Sequence, residues 1–297
     1  MRSVVASTKC ITISILLSAA LFAACGDSSS TSSDTQRTNI SVPQNSSIGI
    51  ESSICTDTVA VPCNVNGLDS CEYGTLVDNR DGQVYKTVKI GCQWWMAENL
   101  NYRYLQPTEE LDSSSFCYND SIEYCAKYGR LYTWSAAMDS AGLFSNSGKG
   151  CGNNTFCNLD SVVVQGVCPE GWHVPVDLEF DILAFAVGGY YPNGGKVLKS
   201  ASDWADNGNG ADAFGFSALP AGFVFAYNGE RYNNMYYDAQ FWSTTECCSP
   251  MNSSGAGLRM DENNDYAYLN NSEKYYGFSV RCVRDHEWKL WNPPDEK

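Results

Sequence analysis

Alternating apolar and polar residues predict a β-hairpin close to residue 80. The Asp-Gly pair at residues 81–82 is typical of a tight hairpin turn, and the alternation after it runs from Val84 through Lys86 to Ile90. Gly91 marks a second turn, and the residues that follow are rich in aromatic side chains. The pattern therefore predicts a hairpin and an adjoining aromatic strand at the start of the globular part of the chain.

The same period of two recurs near the C-terminus, in the stretch GFSVRCVRD at residues 277–285. Phe278, Val280 and Cys282 fall on one face of this stretch, whereas the intervening serine and Arg281 fall on the other. This pattern predicts a half-buried strand whose cysteine points inward. It leaves the disulfide partner of that cysteine open.

Helical spacing of apolar residues occurs in two other stretches. The clearer helix is predicted to begin at a cap on Val176 or Asp177 and to end at the Gly-Gly pair at residues 188–189. A second helix is predicted around residues 131–138, where apolar side chains recur every three or four positions. Two helices among many short strands indicate an α+β domain.

The first 25 residues have the pattern of a bacterial lipoprotein signal. Arg2 and Lys9 precede an apolar run at residues 11–24, which ends in the sequence LFAAC. The run is short for a membrane span and rich in small residues, which favours cleavage before Cys25 and attachment of lipid to it. An ordinary signal peptide followed by an incidental cysteine is the alternative.

Composition divides the rest of the chain into four parts. Residues 25–54 are polar and serine-rich and are predicted to form a disordered tether. It is followed by a small cysteine-rich lead-in at residues 55–76, a main domain at residues 77–285 and a short tail at residues 286–297.

We expect the domain to lie outside the cytoplasm in the cell envelope. Gly26 at the second mature position favours the outer membrane over the inner one.

Charge and cysteine content agree with export. The formal net charge is −15 at pH 7, and loss of Arg2 and Lys9 with the signal takes it to −17. Such a charge argues against binding to nucleic acid or to an anionic lipid surface, and it favours neutral or cationic partners. Of the 14 cysteines, twelve remain after Cys10 and Cys25 are set aside. An even number in an exported chain predicts mostly disulfides.

Two pairs of neighbouring cysteines predict local disulfides. Cys117 and Cys125 bracket a short loop, and Cys151 and Cys157 bracket another that is rich in glycine and asparagine. A structural zinc site is the competing interpretation. The chain has no pair of CxxC motifs and only two histidines, which disfavours zinc.

Several motifs in a fixed order carry a family resemblance. They are DGQVYKTVKIGCQWWMAENLNY, YGRLYTWSAAM, CPEGWHVP, LKSASDW, GFSALPAGF, FWSTTE and GFSVRCV. In this order they resemble the Fibrobacter succinogenes major paralogous domain family, over residues 77–285. Members of that family are mostly exported surface proteins without an established activity, so the resemblance leaves the molecular function open.

The resemblance implies a distant branch of the C-type-lectin-like fold, which also houses formylglycine-generating enzymes. It implies two helices, short antiparallel strands, long loops, and N- and C-terminal strands lying side by side. It also implies a disulfide between Cys168 and Cys282, because in such folds a cysteine near the second helix pairs with one on the last strand. Cys92, Cys247 and Cys248 are not expected throughout the family, and one of the adjacent pair could bond Cys92.

Aromatic side chains supply the candidate ligand contacts. The tryptophans within the motifs are expected mainly in the core, and they are Trp94, Trp95, Trp134, Trp172, Trp204 and Trp242. Tyrosines on loops are better candidates, because they combine apolar area with a polar tip. These are Tyr190, Tyr191, Tyr227, Tyr232, Tyr236 and Tyr237. Covering the core is their alternative role.

No cofactor is expected, although calcium is the one metal that merits a test. Hard oxygen ligands cluster in the stretches ADNGNGAD and MDENND, which contribute Asp206, Asn209, Asp212, Asp261 and Asp265. Neither stretch is an EF-hand loop, and the E-P-N, Q-P-D and W-N-D motifs of calcium-dependent lectins are absent from the sequence. Solvated turns are therefore the favoured interpretation of both stretches.

No catalytic residue is assigned, and we expect no enzymatic activity. His173 has no serine, cysteine or acid at the spacing of a catalytic triad. The adjacent Cys247 and Cys248 differ from the cysteine pair that holds copper in formylglycine-generating enzymes. A glycosidase carboxylate pair remains conceivable from the acids within the motifs, which are Glu98, Glu179, Asp181 and Glu246.

These observations predict a surface-displayed lipoprotein that acts as a non-catalytic binding or adhesion module. Its expected partners are the membrane, through lipid on Cys25, and an extracellular polysaccharide or surface protein. An enzyme of the formylglycine-generating or glycan-active type is the first alternative. A structural envelope protein without a small ligand is the second.

Overall fold

The structure is a computed structural model that describes residues 59–105, 114–157, 163–226, 231–247 and 253–285. All of these residues belong to one compact unit. The predicted signal peptide, the lipid-bearing Cys25, the tether and the C-terminal tail lie outside the described residues. None of the helices in the described ranges has the length and apolar character needed to cross a bilayer.

Short strands dominate the described part of the chain, with four α-helices among them. The strands are β1 (Asn64–Val65), β2 (Leu68–Asp69), β3 (Tyr73–Val77), β4 (Val84–Ile90), β5 (Gln93–Met96), β6 (Ser115–Phe116), β7 (Leu131–Thr133), β8 (Trp172–His173), β9 (Phe223–Phe225), β10 (Arg231–Asn233), β11 (Asp238–Cys247), β12 (Ser254–Asp261), β13 (Tyr268–Glu273), β14 (Tyr276–Phe278) and β15 (Val283–Arg284). The helices are α1 (Ile122–Tyr128), α2 (Trp134–Ala137), α3 (Asp177–Ala186) and α4 (Gly194–Leu198). The described part of the chain is thus mostly antiparallel β with some helix, and it has more helices than the two that were predicted.

The strands pair into four antiparallel sheets. One five-stranded sheet has the order β3-β4-β5-β15-β8, so its first strands and the last strand of the described chain are neighbours. A second five-stranded sheet has the order β10-β9-β14-β7-β6, a third sheet has the order β11-β12-β13, and β1 and β2 form a small hairpin. The second sheet is the one that positions the candidate site.

The predicted hairpin near residue 80 is confirmed. Strands β3 and β4 pair across the Asp-Gly turn, and β4 pairs with β5 across the turn at Gly91. The burial pattern differs from the predicted alternation in its first half. Val84 is exposed whereas Tyr85 is buried, and only from Val88 onward do Val88 and Ile90 face the core.

The predicted helix after residue 176 is also confirmed. Helix α3 begins after Val176, whose backbone N–H donates a 3.0 Å hydrogen bond to the carboxylate of Glu179. That bond is one half of a capping box. The helix ends before the Gly-Gly pair, where Gly188 and Gly189 both adopt positive φ. Phe180 and Leu183 carry its buried face.

The second predicted helix is wrong in its first half. Leu131–Thr133 forms strand β7, and only Trp134–Ala137 forms a helical turn, α2. Tertiary pairing explains the difference, because β7 is paired on both sides, with β6 and with β14. All of Leu131–Ala137 is buried. In a stretch that is buried throughout, periodicity alone does not distinguish a strand from a helix.

The half-buried strand predicted at residues 277–285 is corrected by the structure. Regular pairing covers only β14 and β15 at the two ends, and the polar face is as buried as the apolar one. Arg281 is fully buried between the rings of Phe216 and Phe241 and donates hydrogen bonds to the carbonyl oxygens of Phe216 and Ser217. A guanidinium whose donors are satisfied can occupy the core, which the alternation did not anticipate. Burial lowers the pKa of Arg281 to about 9.

A disulfide joins Cys168 to Cys282 within the main core cluster, and it is the pairing that the resemblance implies. Both cysteines are fully buried. This bond connects the segment before β8 to the segment before β15. Most motif tryptophans are core residues, as predicted, since Trp95, Trp134 and Trp242 have no solvent exposure.

The lead-in packs against the rest of the unit. The N–H of Ala60 donates to the carbonyl oxygen of Ala186 at the end of α3, and the N–H of Cys63 donates to the carbonyl oxygen of Ala213. A disulfide between Cys63 and Cys71 closes the β1–β2 hairpin.

Candidate functional site

Five tyrosines form a contiguous group of rings at one edge of the second sheet. We call this group the tyrosine array, and it consists of Tyr118, Tyr124, Tyr128, Tyr232 and Tyr236. Centroids of neighbouring rings are 5.2 to 6.2 Å apart, in tilted or edge-to-face arrangements. These are the distances and orientations that aromatic pairs prefer. The array is therefore a packed surface and not a set of independent side chains.

Two chain segments position the array. Tyr118 begins a short 3-10 turn and Tyr124 and Tyr128 lie one helical turn apart on α1, while Cys117–Cys125 closes this segment on itself. Tyr232 comes from β10, which pairs with β9. Tyr128 is buried within the small core cluster that contains Val224 and Met235, and the rings of Tyr118, Tyr124 and Tyr232 pack against that cluster.

Tyr236 is the most exposed member, with 38 % of its surface accessible. Its backbone has φ of 73°, which is rare for a bulky residue. The conformation is held from both sides, because the N–H of Tyr236 donates to the carbonyl oxygen of Pro220 and its carbonyl oxygen accepts from the N–H of Ala205. Strain of this kind persists where the surrounding structure enforces it, and it concentrates at functional sites.

The turn that carries Tyr236 depends on a glycine in the GFSALPAGF motif. Gly222 has φ of 65°, and a Cβ at this position would lie 2.4 Å from the carbonyl oxygen of Asn233 and 2.7 Å from the N–H nitrogen of Met235. Only glycine allows this close approach. The motif thus contributes to the array through its backbone.

Charged and polar groups surround the rings. The hydroxyl of Tyr232 donates a 2.8 Å hydrogen bond to Asp120, and the ammonium of Lys127 donates to Asp203. The Lys127 hydrogen bond lowers the pKa of Asp203. A hydrogen bond with the hydroxyl of Tyr124 raises the pKa of Tyr236 to about 12. The array therefore has both signs of charge at its rim.

The remaining predicted tyrosines do not join the array. Tyr191 is 59 % exposed and pairs with Tyr266 at 4.7 Å, and the hydroxyl of Tyr190 donates to Asp181. Tyr237 is 40 % exposed beside Tyr236. Tyr227 lies outside the described residues. Of the six predicted tyrosines, the structure brings only Tyr232 and Tyr236 into one cluster.

Sequence reasoning missed Tyr118, Tyr124 and Tyr128. They lie in the segment that was noted only for its cysteine pair, where YNDSIEYCAKY contains three tyrosines. The spacing of Tyr124 and Tyr128 places both on one helical face, which was the available signal. Their contact with Tyr232 and Tyr236 joins residues more than a hundred positions apart, and no local pattern encodes it.

Each of the two loops proposed for calcium supplies carbonyl oxygens to a lysine. The buried ammonium of Lys199 donates to the carbonyl oxygens of Asp261 and Asn264, at 3.0 and 2.8 Å. Lys196 reaches the other loop, donating to the carbonyl oxygen of Asn209. Burial lowers the pKa of Lys199. A lysine ammonium therefore occupies a position where a metal cation would compete for the same oxygens.

Three of the five side chains proposed as calcium ligands accept hydrogen bonds from the protein. A carboxylate oxygen of Asp212 accepts from the N–H of Ser217, and burial raises the pKa of Asp212 to about 6. Asp261 accepts from the amide of Asn264. The side chain of Asn209 accepts from the N–H of Trp204, while Asp206 and Asp265 lie elsewhere on the same loops. Within the described ranges, no group of three or more acidic, histidine or cysteine side chains is arranged to hold a metal.

His173 lies in β8, which pairs with β15, and its imidazole lies between two carboxylates. Its Nδ1 lies 2.7 Å from Asp285 and its Nε2 lies 2.9 Å from Glu179. Burial lowers the pKa of His173, but hydrogen bonds with the two carboxylates outweigh that effect, so the pKa is raised. The other acids proposed for catalysis also have partners. Glu246 pairs with the buried Lys274, and Glu98 accepts from the N–H of Lys86.

The predicted cysteine pairs are present as disulfides. Cys117 bonds Cys125, and Cys151 bonds Cys157. Cys92 is also disulfide-bonded. Its proposed pairing with Cys247 or Cys248 stays a prediction, because those two side chains lie outside the described part of the structure.

Comparison with known proteins gives one finding. The family model described as the Fibrobacter succinogenes major domain matches residues 88–284, which is more than half of the chain. No curated protein and no solved structure matches the chain. The matched region contains every member of the tyrosine array.

Proposed function

The chain belongs to the Fibrobacter succinogenes major domain family, whose model covers residues 88–284, and we propose that it is a non-catalytic module that binds an extracellular polysaccharide. The observation that carries this proposal is the tyrosine array. Five rings pack together, of which Tyr128 is buried and the other four reach solvent, and a strained backbone holds the exposed ring of Tyr236 among them.

The chemistry of the array fits sugar rings. Aromatic faces and edges offer apolar area to the C–H groups of a pyranose, while the rim groups Asp120, Lys127 and Asp203 can exchange hydrogen bonds with hydroxyls. A tyrosine surface has few rotatable bonds, so ordering it on binding costs little conformational entropy. A chain of sugars can extend over several rings, which favours a polymer over a single sugar.

The net charge of the protein limits which polysaccharides it can bind. The chain carries a formal net charge of −15. Repulsion disfavours polyuronates and other anionic polymers. A neutral glucan or xylan is the expected ligand, and a surface protein is the alternative outcome of the test.

The proposed setting is the bacterial surface. Lipid on Cys25 would anchor the chain in the outer membrane, and the serine-rich segment after it would separate the domain from the bilayer. We also propose that the domain is a distant variant of the C-type-lectin-like fold. The Cys168–Cys282 disulfide and the neighbouring positions of β5 and β15 support that relationship.

A binding assay with matched variants tests the function. The oxidised protein is mixed with insoluble cellulose, xylan and polygalacturonate, and the retained fraction is measured against polymer concentration. We expect retention on a neutral polymer and an affinity loss of about five- to tenfold for Tyr236→Ala, as expected for removal of one aromatic contact. Tyr191→Ala is the matched control, because Tyr191 is exposed but lies outside the array.

Two outcomes would contradict the proposal. The first is no retention on any neutral polymer. The second is retention that Tyr236→Ala and Tyr191→Ala weaken equally, because the array would then have no special part in binding.

A further inference from the structure

A polar cavity of about 410 Å³ lies on the described part of the chain, away from the tyrosine array. Three segments line it: the β3–β4 turn with Asp78, Asn79 and Arg80, the loop after α2 with Phe144, and the loop before β8 with Gln165 and Glu170. Its volume is in the range of small-molecule sites. None of its lining residues belongs to the array.

Buried bonds hold each wall in place. The carboxylate of Asp139, which is fully buried, accepts hydrogen bonds from the N–H groups of Leu143, Phe144 and Ser145. Gln165 donates to the carbonyl oxygen of Cys168, which is fixed by its disulfide. The cavity is thus preformed, which lowers the entropic cost of binding a ligand.

The guanidinium of Arg80, which is stacked between two rings, forms the floor of the cavity. Arg80 lies between the rings of Tyr102 and Phe144, with its central carbon 4.1 and 4.3 Å from the two centroids. Its Nε and Nη2 donate to the buried carboxylate of Asp78 at 2.8 and 2.7 Å. Nη2 also donates to the carbonyl oxygen of Val167, which ties the floor to the third wall. The Arg80–Asp78 pair leaves the floor without net charge.

The charge that remains in the cavity is negative. Glu170 is exposed and forms no ion pair with the described residues, whereas Asn79 and Gln165 offer neutral amide groups. One free carboxylate beside two amides and an aromatic edge can recognise an amine and several hydroxyls at once. An anionic ligand would meet Glu170 unfavourably.

We propose that this cavity binds a small hydroxylated amine of the hexosamine class, with the ammonium group at Glu170 and ring hydroxyls at Asn79 and Gln165. The site would be independent of polymer binding by the array. It would give the protein a second specificity, for a free amino sugar or for an amino-sugar unit at the end of a chain.

Calorimetric titration of the intact protein tests this proposal with three probes. Glucosamine carries the amine, glucose has a hydroxyl in its place, and N-acetylglucosamine has a neutral amide in its place. We expect glucosamine to bind about three- to fivefold more tightly than the other two, which is the effect of one solvated ion pair. Glu170→Gln should remove that preference. Asp206→Asn, which changes an exposed acid far along the chain, should preserve it.

The proposal is overturned if glucosamine shows no saturable binding, or if its preference over glucose survives in Glu170→Gln. Both variants change exposed side chains, so loss of folding will not obscure the result. A Tyr236→Ala variant separates the two sites. It should leave glucosamine binding unchanged, even if polymer binding fails altogether.

Discussion

Removal of the Cys168–Cys282 disulfide should destabilise the domain more than removal of any short-range disulfide. The bond closes a loop with a sequence separation of 114, whereas Cys117–Cys125 has a separation of 8. A cross-link stabilises mainly by restricting the unfolded chain, and the restriction grows with the logarithm of loop length. The two bonds therefore provide an internal comparison.

The chain-entropy relation gives the magnitudes. For the long loop it predicts about 5 kcal/mol of stability at 25 °C, and for the short loop about 2.5 kcal/mol. Cys168 and Cys282 are both fully buried, so replacing them with alanine adds a packing loss of about 1 kcal/mol. We expect Cys168→Ala/Cys282→Ala to lose at least about 2 kcal/mol more than Cys117→Ala/Cys125→Ala.

Urea unfolding under non-reducing conditions measures both losses. Tryptophan fluorescence is a suitable probe, since Trp95, Trp134 and Trp242 are fully buried. The denaturant slope should rise most in the long-loop variant, because its unfolded state expands most. Equal losses of unfolding free energy in the two variants would contradict the dependence on loop length.

The two variants should show the opposite order in their loss of polymer affinity. Cys117–Cys125 closes the segment that carries Tyr118 and Tyr124, so its removal loosens the tyrosine array directly. The less destabilised variant should therefore show the larger loss of polymer affinity, measured at a temperature where both remain folded.

Three further predictions concern buried charges. Hydrogen bonds with Glu179 and Asp285 outweigh burial and raise the pKa of His173 in the folded state. Protonated His173 therefore stabilises the fold. This contribution is complete below the unfolded pKa of about 6.5 and is lost as pH rises through the folded value. Stability of the wild type relative to His173→Gln should thus fall as pH rises above about 6.5 in urea titrations, and a flat difference would contradict the assignment. Arg281→Met should lower the free energy of unfolding by roughly 3 to 5 kcal/mol, because two buried carbonyl groups lose their donor, and a loss below about 1 kcal/mol would contradict this. Calcium or a chelator should not shift the thermal midpoint, because the ammonium of Lys199 already binds carbonyl oxygens from one of the acidic loops, and a calcium-dependent rise would contradict that view.

Local sequence patterns predicted the elements whose environment is local. The β3–β4–β5 hairpins follow from two turns, and α3 follows from a cap, an apolar face and a glycine stop. Short cysteine spacings predicted two loop disulfides. Each of these signals lies within about twenty residues of the feature that it specifies.

Prediction failed where long-range packing decides the outcome. Arg281 occupies a polar position of an alternating pattern, yet carbonyl oxygens from residues 216–217 and two phenyl rings make a fully buried site for it. Leu131 lies in a helical pattern but belongs to a strand between two others. In both cases the deciding partners are distant in sequence.

The candidate site could be predicted only in part for the same reason. Tyr232 and Tyr236 were identified as loop tyrosines, but the three partners from residues 118–128 were not. The contact between the two segments depends on the β9–β10 pairing and on the close approach at Gly222. A single sequence does not reveal either feature.

The most direct test of the central claim is to map a bound sugar chain onto the tyrosine rings. A soluble oligosaccharide cut from the polymer that is retained can be titrated into protein with labelled tyrosine, and the ring signals followed by NMR. We expect saturable shifts for Tyr124, Tyr232 and Tyr236, with the signals of Tyr191 and Tyr266 unchanged. Shifts confined to Tyr191 and Tyr266, or none at saturating ligand, would contradict it.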